Sequence, residues 1–470
     1  MIEQGIRGGI TQCTTRHAVA NVPGTDTFNP HHEPSQILDL DVNGLYAATM
    51  REALPVSDFE WMTKDEIACL NIGDVPDDAP TGYILEVDLR YPHHLHETHS
   101  DFPLAPVKQS VPYDWLSDYQ KSLIDKFEMP KEEPTTKLLL TLHDKTKYVL
   151  HYRILKLYIQ LGLEVTKIHR VLKFSQRAFL REFIDFNHQL RQQATNSFQK
   201  NLSKLFMNSI YGKTIENARK HGHIKLCVKE DDILKMLQKP NLTQFRALSS
   251  QVVIFQFAPK VIKLKQPLYA GFSILEISKI VMYDFFYNQL RRAIPSARAL
   301  YCDTDSFFLH LQGSDVDDKL LQLRDACLDT SGYPESHKLF STENKMKLGV
   351  LKNEYPTTHL VAFCCLKPKL YSFKTSSNTC CVRAKGVKKS ESRKLTYELY
   401  KHALDTKTLH RVTQHLIARK LNENKSIAVE KIALNPFDNK RYICNDGITT
   451  LPFGHKSVLG SERSASSSTS

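Results

Sequence analysis

Residues 299–311 read "ALYCDTDSFFLHL". Two apolar runs flank a short acidic turn that carries Asp303 and Asp305, two positions apart. Asp suits turns because its carboxylate bonds nearby backbone groups. The alternation in "SFFLHL" fits a half-buried strand, so the segment predicts a β-hairpin. A plain hairpin has no need of two carboxylates. A hard cation such as Mg²⁺ does: it takes carboxylate oxygens and keeps positions for substrate phosphates. One hairpin offers too few ligands, and a metal reading therefore requires a third acid elsewhere in the chain.

That acid is Asp41, in "LDLDVNGLY" (38–46), which also ends an apolar strand. On neighbouring strands of one sheet, Asp41 and Asp305 would share two ions ~3.5–4 Å apart, the spacing that clamps attacking and leaving oxygens in phosphoryl transfer. The carbonyl of Val42 would complete the shell. The same residues equally fit a strand–turn–helix junction with Asp39 or Asp41 as a helix cap. A cationic counterpart lies in "QKNLSKLFMNSIYGKTIEN" (199–217). Lys200, Lys204 and Asn208 fall at i, i+4 and i+8, one face of a helix, with Tyr211 a turn further on. Lysines there can hold phosphate oxygens, the ring can pack on a base or sugar, and Gly212 is expected to end the helix. Taken alone, the lysines also fit a solvated amphipathic face.

The bulk composition is compatible with such a site. The 470-residue chain is 41% hydrophobic and 24% charged, ordinary values for a globular protein of several domains. Lys plus Arg number 63 against 51 Asp plus Glu, a net charge of +12, which suits a polyanionic partner such as nucleic acid. None of the ten cysteines stands in a CxxC, so they read as free thiols in a reducing compartment. "MIEQGIRGGITQ" has no apolar core of signal-peptide length. No apolar run approaches the ~20 residues that span a bilayer, and an intracellular protein without membrane contact is expected. "HHLHETH" gathers His93, His94, His96 and His99. It reads as an exposed connection rather than a zinc site, since His-rich tracts are compositional hints only. Residues 21–34 read as a loop, and 174–211 turn helical. A second long helix is expected over 274–293, and 460–470 reads as a disordered tail.

"DVNGLY", "KLFMNSIYGK" and "YCDTDS", in that order, resemble motifs A, B and C of family B DNA polymerases. More narrowly they are similar to the protein-primed branch of certain phages, adenoviruses, linear plasmids and Polinton/Maverick transposons. "IRGGITQ" resembles that branch's (Y)xGG segment, and "LGVLKNE" with "KPKLYSF" resembles its KxY motif. "AKGVKK" and "DNKRYICNDGITTLPFGH" resemble the transposon and viral members. The likeness runs over roughly residues 6–456. It departs at Gly44 and Ala47, where the wider family has Ser and Pro, and at Ile6, which replaces the Tyr of (Y)xGG.

The resemblance implies a DNA-directed DNA polymerase adding dNTPs to a primer 3′-hydroxyl on a DNA primer-template. Two Mg²⁺ ions would serve it, with Mn²⁺ as a substitute. Asp41 and Asp305, with Val42, would be the metal ligands, and Asp303 an accessory catalytic acid. Tyr46 would be the steric gate against a ribose 2′-OH, the group that separates RNA from DNA precursors. Lys204 would contact the triphosphate, assisted by Lys200, with Asn208 and Tyr211 lining the nucleotide pocket. Gly8, Gly9, Lys369 and Tyr371 would meet DNA near the primer end, and Lys385, Lys388 and Lys389 the duplex backbone. A priming terminal protein is a further implied partner, and no oligomer is expected. The family's exonuclease lies upstream of (Y)xGG, where only a few residues stand here, so a core without proofreading is expected. The rival readings are a non-catalytic DNA-binding remnant and another Mg²⁺ phosphotransferase or nuclease.

The implied fold is α+β, a right hand with an antiparallel palm sheet, helical fingers and a thumb. The palm would comprise 1–60 and 266–383, and the fingers 173–220. Insertions would occupy 61–172 and 221–265, and the thumb 384–459.

Overall fold

The computed structural model describes residues 1–458 apart from 27, 133, 134, 421 and 422, so the expected tail at 460–470 lies outside the described residues. The quoted hairpin forms as expected. Strands Arg298–Asp303 and Ser306–Gln312 pair antiparallel with Asp303 opposite Ser306, leaving Thr304 and Asp305 as a two-residue turn. Thr304 adopts φ 64°, as such tight hairpin turns demand.

This hairpin lies within a ten-stranded sheet whose main path runs Thr11–Cys13, Arg298–Asp303, Ser306–Gln312, Ser35–Val42, Leu360–Lys367, Leu370–Thr375 and Cys380–Ala384. The central strand is Ser35–Val42. Its register sets Asp41 opposite Ser306 on one side and opposite Lys352 on the other. Alternation along Ser306–Gln312 sends Phe307, Leu309 and Leu311 into one core and Phe308 into another on the opposite face. Apolar side chains thus cover both faces of the sheet. The helix Leu268–Asp284 backs the first face and is buried nearly all round, which is why its sequence lacks a polar stripe. It begins six residues before the expected start and runs into a π-helical turn, Phe285–Leu290.

A second sheet, in the order Leu54–Trp61, Glu164–Arg177, Thr81–Arg90 and Lys145–His151, shares the large core through Leu85, Val87 and Leu150. The helical stretch expected from residue 174 therefore starts later. Phe174 belongs to the Glu164–Arg177 strand and pairs with Gly82, because cross-strand partners override a local helical pattern. Two helices follow, Arg181–Gln192 and Ser197–Thr214, the second capped by Asn196 accepting the Gln199 N–H. Gly212 does not end this helix, which continues to Thr214. Residues 223–257 build a three-stranded sheet with the helix Glu230–Leu237.

The chain then forms the helix Tyr397–Thr406 and a long hairpin, His410–Lys420 with Glu423–Leu434. The last described segment returns to the large sheet. Arg16, fully buried, donates to the carbonyls of Gly447 at 2.8 Å, Leu366 at 3.2 Å and Pro436. Buried Arg441 donates to Ser100 O at 2.9 Å. Buried charge of this kind is costly unless hydrogen-bonded, and here backbone carbonyls take most of the donors, Arg16 tying the first strands to the 436–447 segment. No described helix is long and apolar enough to cross a membrane.

Candidate active site at the edge of the central strand

A cavity of about 520 Å³ opens where the Ser35–Val42 strand ends, and Asp41, Val42, Tyr46, Lys204, Asn208, Asp305 and Tyr371 all line it. These residues come from four segments well separated in sequence, around positions 41–46, 204–208, 305 and 371. The sheet brings Asp41 and Asp305 together: Asp41 pairs with Ser306, the residue after Asp305, and the Val42 N–H donates to Asp305 O at 2.7 Å. Burial first, and then the charges of Asp305 and Glu354, push the Asp41 carboxyl up to about 7. Burial likewise raises Asp305, with Asp303 adding to it and Lys369 and Lys204 opposing. Held acids that disfavour their own ionisation are the electrostatic complement of a bound cation. Among the described residues no three His, Cys, Asp or Glu side chains form a ready metal cage. Two carboxylates and a carbonyl are hard oxygen donors, however, and fit Mg²⁺, which takes its remaining ligands from water and substrate phosphate.

Tyr46 and Tyr211 form one wall. Their rings stack with centroids 4.1 Å apart at 16°, so the aromatic of the Ser197–Thr214 helix fixes the aromatic that follows Asp41. Lys204 and Asn208 project from that same helix into the cavity, whereas Lys200 is exposed and stands outside its lining. Several lining residues carried no spacing signal: Asp39, His188, Arg191, Met346, Lys352, Glu354 and Arg383. Asp39 precedes Asp41 by two and so faces the same side of the strand. Burial, then Asp41 and Glu354, push its carboxyl up to about 8. Arg191 adds a second cation beside Lys204.

Asp303 faces elsewhere. It receives the Lys369 ammonium on both carboxylate oxygens, at 2.7 and 2.6 Å. The Tyr301 hydroxyl lies 3.3 Å from it and accepts the Lys369 N–H at 3.0 Å. Lys369 sits at φ 65°, a left-handed conformation that this network offsets. Asp303, Lys369, Arg383, Lys385, Lys389 and Arg393 line a second cavity of about 680 Å³, and Tyr371 and Arg383 wall both cavities. Lys388 is placed apart, its ammonium on His415 O at 3.0 Å. Gly9 lies beside the acidic turn, whereas nothing stands within 4 Å of a Cβ on Gly8. A Cβ on Gly9 would meet Thr304 Oγ1 at 2.5 Å, so the turn seats against glycine backbone.

Gly44 explains one departure in motif A. It caps the helix Leu45–Met50 at φ 58°, ψ 54°, and a Cβ there would sit 2.9 Å from Leu348 Cδ2. Gly44→Ser is therefore expected to destabilise the fold by about 1–2 kcal/mol through left-handed strain and overpacking. Denaturant midpoints of the two proteins check it; equal midpoints would show that the turn relaxes freely.

The 93–99 segment is not wholly the exposed connection expected: His96 and His99 are buried, and the His96 ring lies 5.7 Å from that of His455. His96 Nδ1 accepts the Lys456 N–H at 3.0 Å and His455 Nδ1 accepts the Ser457 N–H at 3.2 Å. Each ring proton is thereby placed on Nε2, which makes that atom a donor and not a metal ligand.

Residues 25–285 match the family model described as DNA polymerase type B, organellar and viral. No curated protein matches the sequence. Among solved structures, the chain is similar to phi29 DNA polymerase complexed with primer-template DNA and incoming nucleotide substrates. The TM-score is 0.53 at 16% identity, covering 92% of this chain and 62% of that one. The binary complex of phi29 DNA polymerase with primer-template DNA gives a TM-score of 0.52 at 16% identity, covering 92% and 61%. The chain thus spans about three fifths of the length of the solved structures it matches. The fold is the right-hand polymerase fold, and with more than half its length matched by the family model, the chain belongs to the type B DNA polymerases of organelles and viruses.

Proposed function

We propose that the chain adds dNTPs to a primer 3′-hydroxyl under the direction of a DNA template and releases pyrophosphate. One observation carries this reading: the acids Asp41 and Asp305, the cation Lys204, the amide Asn208 and the ring of Tyr46 converge on a single cavity from three separate segments. A nuclease has no use for a cation-lined triphosphate pocket beside its acids. In this reading the large sheet is the palm (1–60 and 266–383), the Arg181–Gln192 and Ser197–Thr214 helices are the fingers (173–220), and 384–459 is the thumb.

Asp41, Asp305 and the Val42 carbonyl would hold Mg²⁺, with Mn²⁺ as a substitute, and the metal would supply charge neutralisation at the reacting phosphate and activation of the primer hydroxyl. Lys204 and Arg191 receive the triphosphate as cations from one side. Asn208 and the Tyr46–Tyr211 stack bound the sugar and base. The second cavity, cationic apart from Asp303, takes the primer strand, and Tyr371 and Arg383 stand where that strand's end would meet the nucleotide. Asp303 acts by holding Lys369 in place, a positioning role.

Primer extension by the purified protein with Mg²⁺ and four dNTPs tests the reading. Template-dependent extension is expected. Firm DNA binding with no incorporation would favour the non-catalytic remnant. Binding should also depend steeply on salt. Each phosphate neutralised contributes a log–log slope of about −0.9 on duplex DNA, and the five cations of the second cavity, Lys369, Arg383, Lys385, Lys389 and Arg393, give a total of several units. A flat salt dependence in a fluorescence-anisotropy titration would count against a DNA channel.

A further inference from the structure

Behind the Leu45–Met50 helix lies a cavity of about 320 Å³ that none of the polymerase roles uses. Its floor is apolar: Ile277, Ile280 and Val281 of the buried helix, with Phe285, Leu348 and Leu351. Its polar groups are not evenly balanced. Arg153 is paired with Glu52 at 3.3 Å and Asp77 at 3.0 Å, and Arg51 with Asp185 at 2.6 Å. Asp284 has no cationic partner among the described residues. Its two oxygens accept only the amides of Asn288 and Gln289, each at 2.8 Å. Gln289 Oε1 is buried and accepts no hydrogen bond. Both groups belong to the π-helical turn and its cap, Asp284 and Phe285–Leu290, a deviation common at functional sites. The buried Cys327 thiol facing this space is pushed up to about 12, by burial first and by the Asp284 charge next.

We propose that this rear cavity binds a small organic ammonium ion with an apolar body. The ammonium would donate to the Asp284 carboxylate and Gln289 Oε1, and the body would cover Ile277, Ile280 and Val281. Gln289 Oε1 then gains the donor it lacks, where an unpaired buried acceptor is costly, and the cation neutralises a half-buried carboxylate that has amide partners but no cationic one among the described residues.

The site is joined to the nucleotide cavity. Leu348 lines both cavities. The segment behind it is tied to motif A by Gly349 N–H donating to Asn43 O and Asn43 N–H donating to Val350 O, each at 2.9 Å. Occupancy that moves Leu348 therefore moves a wall of the nucleotide pocket. This coupling rests on the polymerase reading, whereas the binding itself does not.

Benzylamine is the probe, followed by saturation-transfer NMR on the full chain, with benzyl alcohol as the uncharged match. Saturable benzylamine binding is expected, at least ~10-fold weaker in Asp284→Asn and in the cavity-filling Val281→Phe, with benzyl alcohol binding ~10-fold weaker than benzylamine to the wild type. Equal binding to wild type and Asp284→Asn, or no saturable binding, overturns the site. Circular dichroism of both variants separates loss of binding from loss of fold. For the coupling, dATP affinity is titrated with and without benzylamine. A several-fold change supports it, and an unchanged affinity at saturating benzylamine overturns the coupling while leaving the site standing.

Discussion

Replacing Asp305 or Asp41 with Asn is expected to lower nucleotide addition by roughly 10³-fold or more, the scale on which loss of one preorganised electrostatic contact registers, while DNA binding stays within a few-fold of wild type. Each change removes a charge and keeps the shape of the side chain. Both acids are held at the end of the central strand by pairing that does not involve their carboxylates, so the sheet survives. Removing one of two mutually repelling acids even relieves repulsion, since Asp305 is among the charges that raise Asp41. Stability is thus expected to hold or rise as activity falls, a combination that misfolding cannot produce. Single-turnover extension on a primed template, alongside a thermal melt, reads both. Extension at wild-type rates by either variant would remove that acid from the metal site.

Asp303→Asn supplies the contrast. Its carboxylate serves Lys369, so the variant should raise the primer concentration needed for half-maximal rate more than it slows the step at saturation. A rate loss at saturating primer as deep as that of Asp305→Asn would restore Asp303 to the metal centre.

Asp41, Asp305, Lys204 and Asn208 were legible in the sequence because strand alternation and helical spacing put each on a definite face, and a tight turn fixed where the strands end. Arg191, Lys352 and Arg383 were not. Each is a single cation on an otherwise ordinary helix or strand, and only the sheet register, such as Lys352 opposite Asp41, shows where it points. The Asp303–Lys369 pair joins positions 66 apart, so no local pattern reports it. The helix expected over 274–293 begins at Leu268, and its first turn carries a helix-disfavouring glycine, Gly271. That glycine is a packing residue, since a Cβ there would meet Thr214 Oγ1 at 2.3 Å. The π-helical turn escapes any search at i, i+4 spacing. The boundary expected at residue 60 falls inside the strand Leu54–Trp61, whose partner is Glu164–Arg177, because pairing between distant segments cannot be seen in either one.

Tyr46→Val is expected to raise the ratio of ribonucleotide to deoxyribonucleotide incorporation roughly 10²-fold, near the upper range for discrimination by pocket size. The ring of Tyr46 is partly buried and fixed from behind by the Tyr211 stack, so it cannot swing away from a 2′-OH; stiffness is what turns a bulky residue into a steric block. Val removes the ring and leaves room. The stacking partner is lost as well, and dNTP use should fall several-fold because Tyr211 loses its support. The ratio, measured over matched rNTP and dNTP concentration series, separates the two effects, since loss of support acts on both substrates and loss of the block on one. Tyr46→Phe sharpens the test. It deletes the hydroxyl and keeps the ring stacked on Tyr211, so discrimination should stay within a few-fold of wild type. If the ratio moves with Phe and not with Val, the hydroxyl contact governs sugar choice; if both activities fall together in Val with the ratio fixed, Tyr46 only packs, and the gate lies elsewhere on the cavity wall.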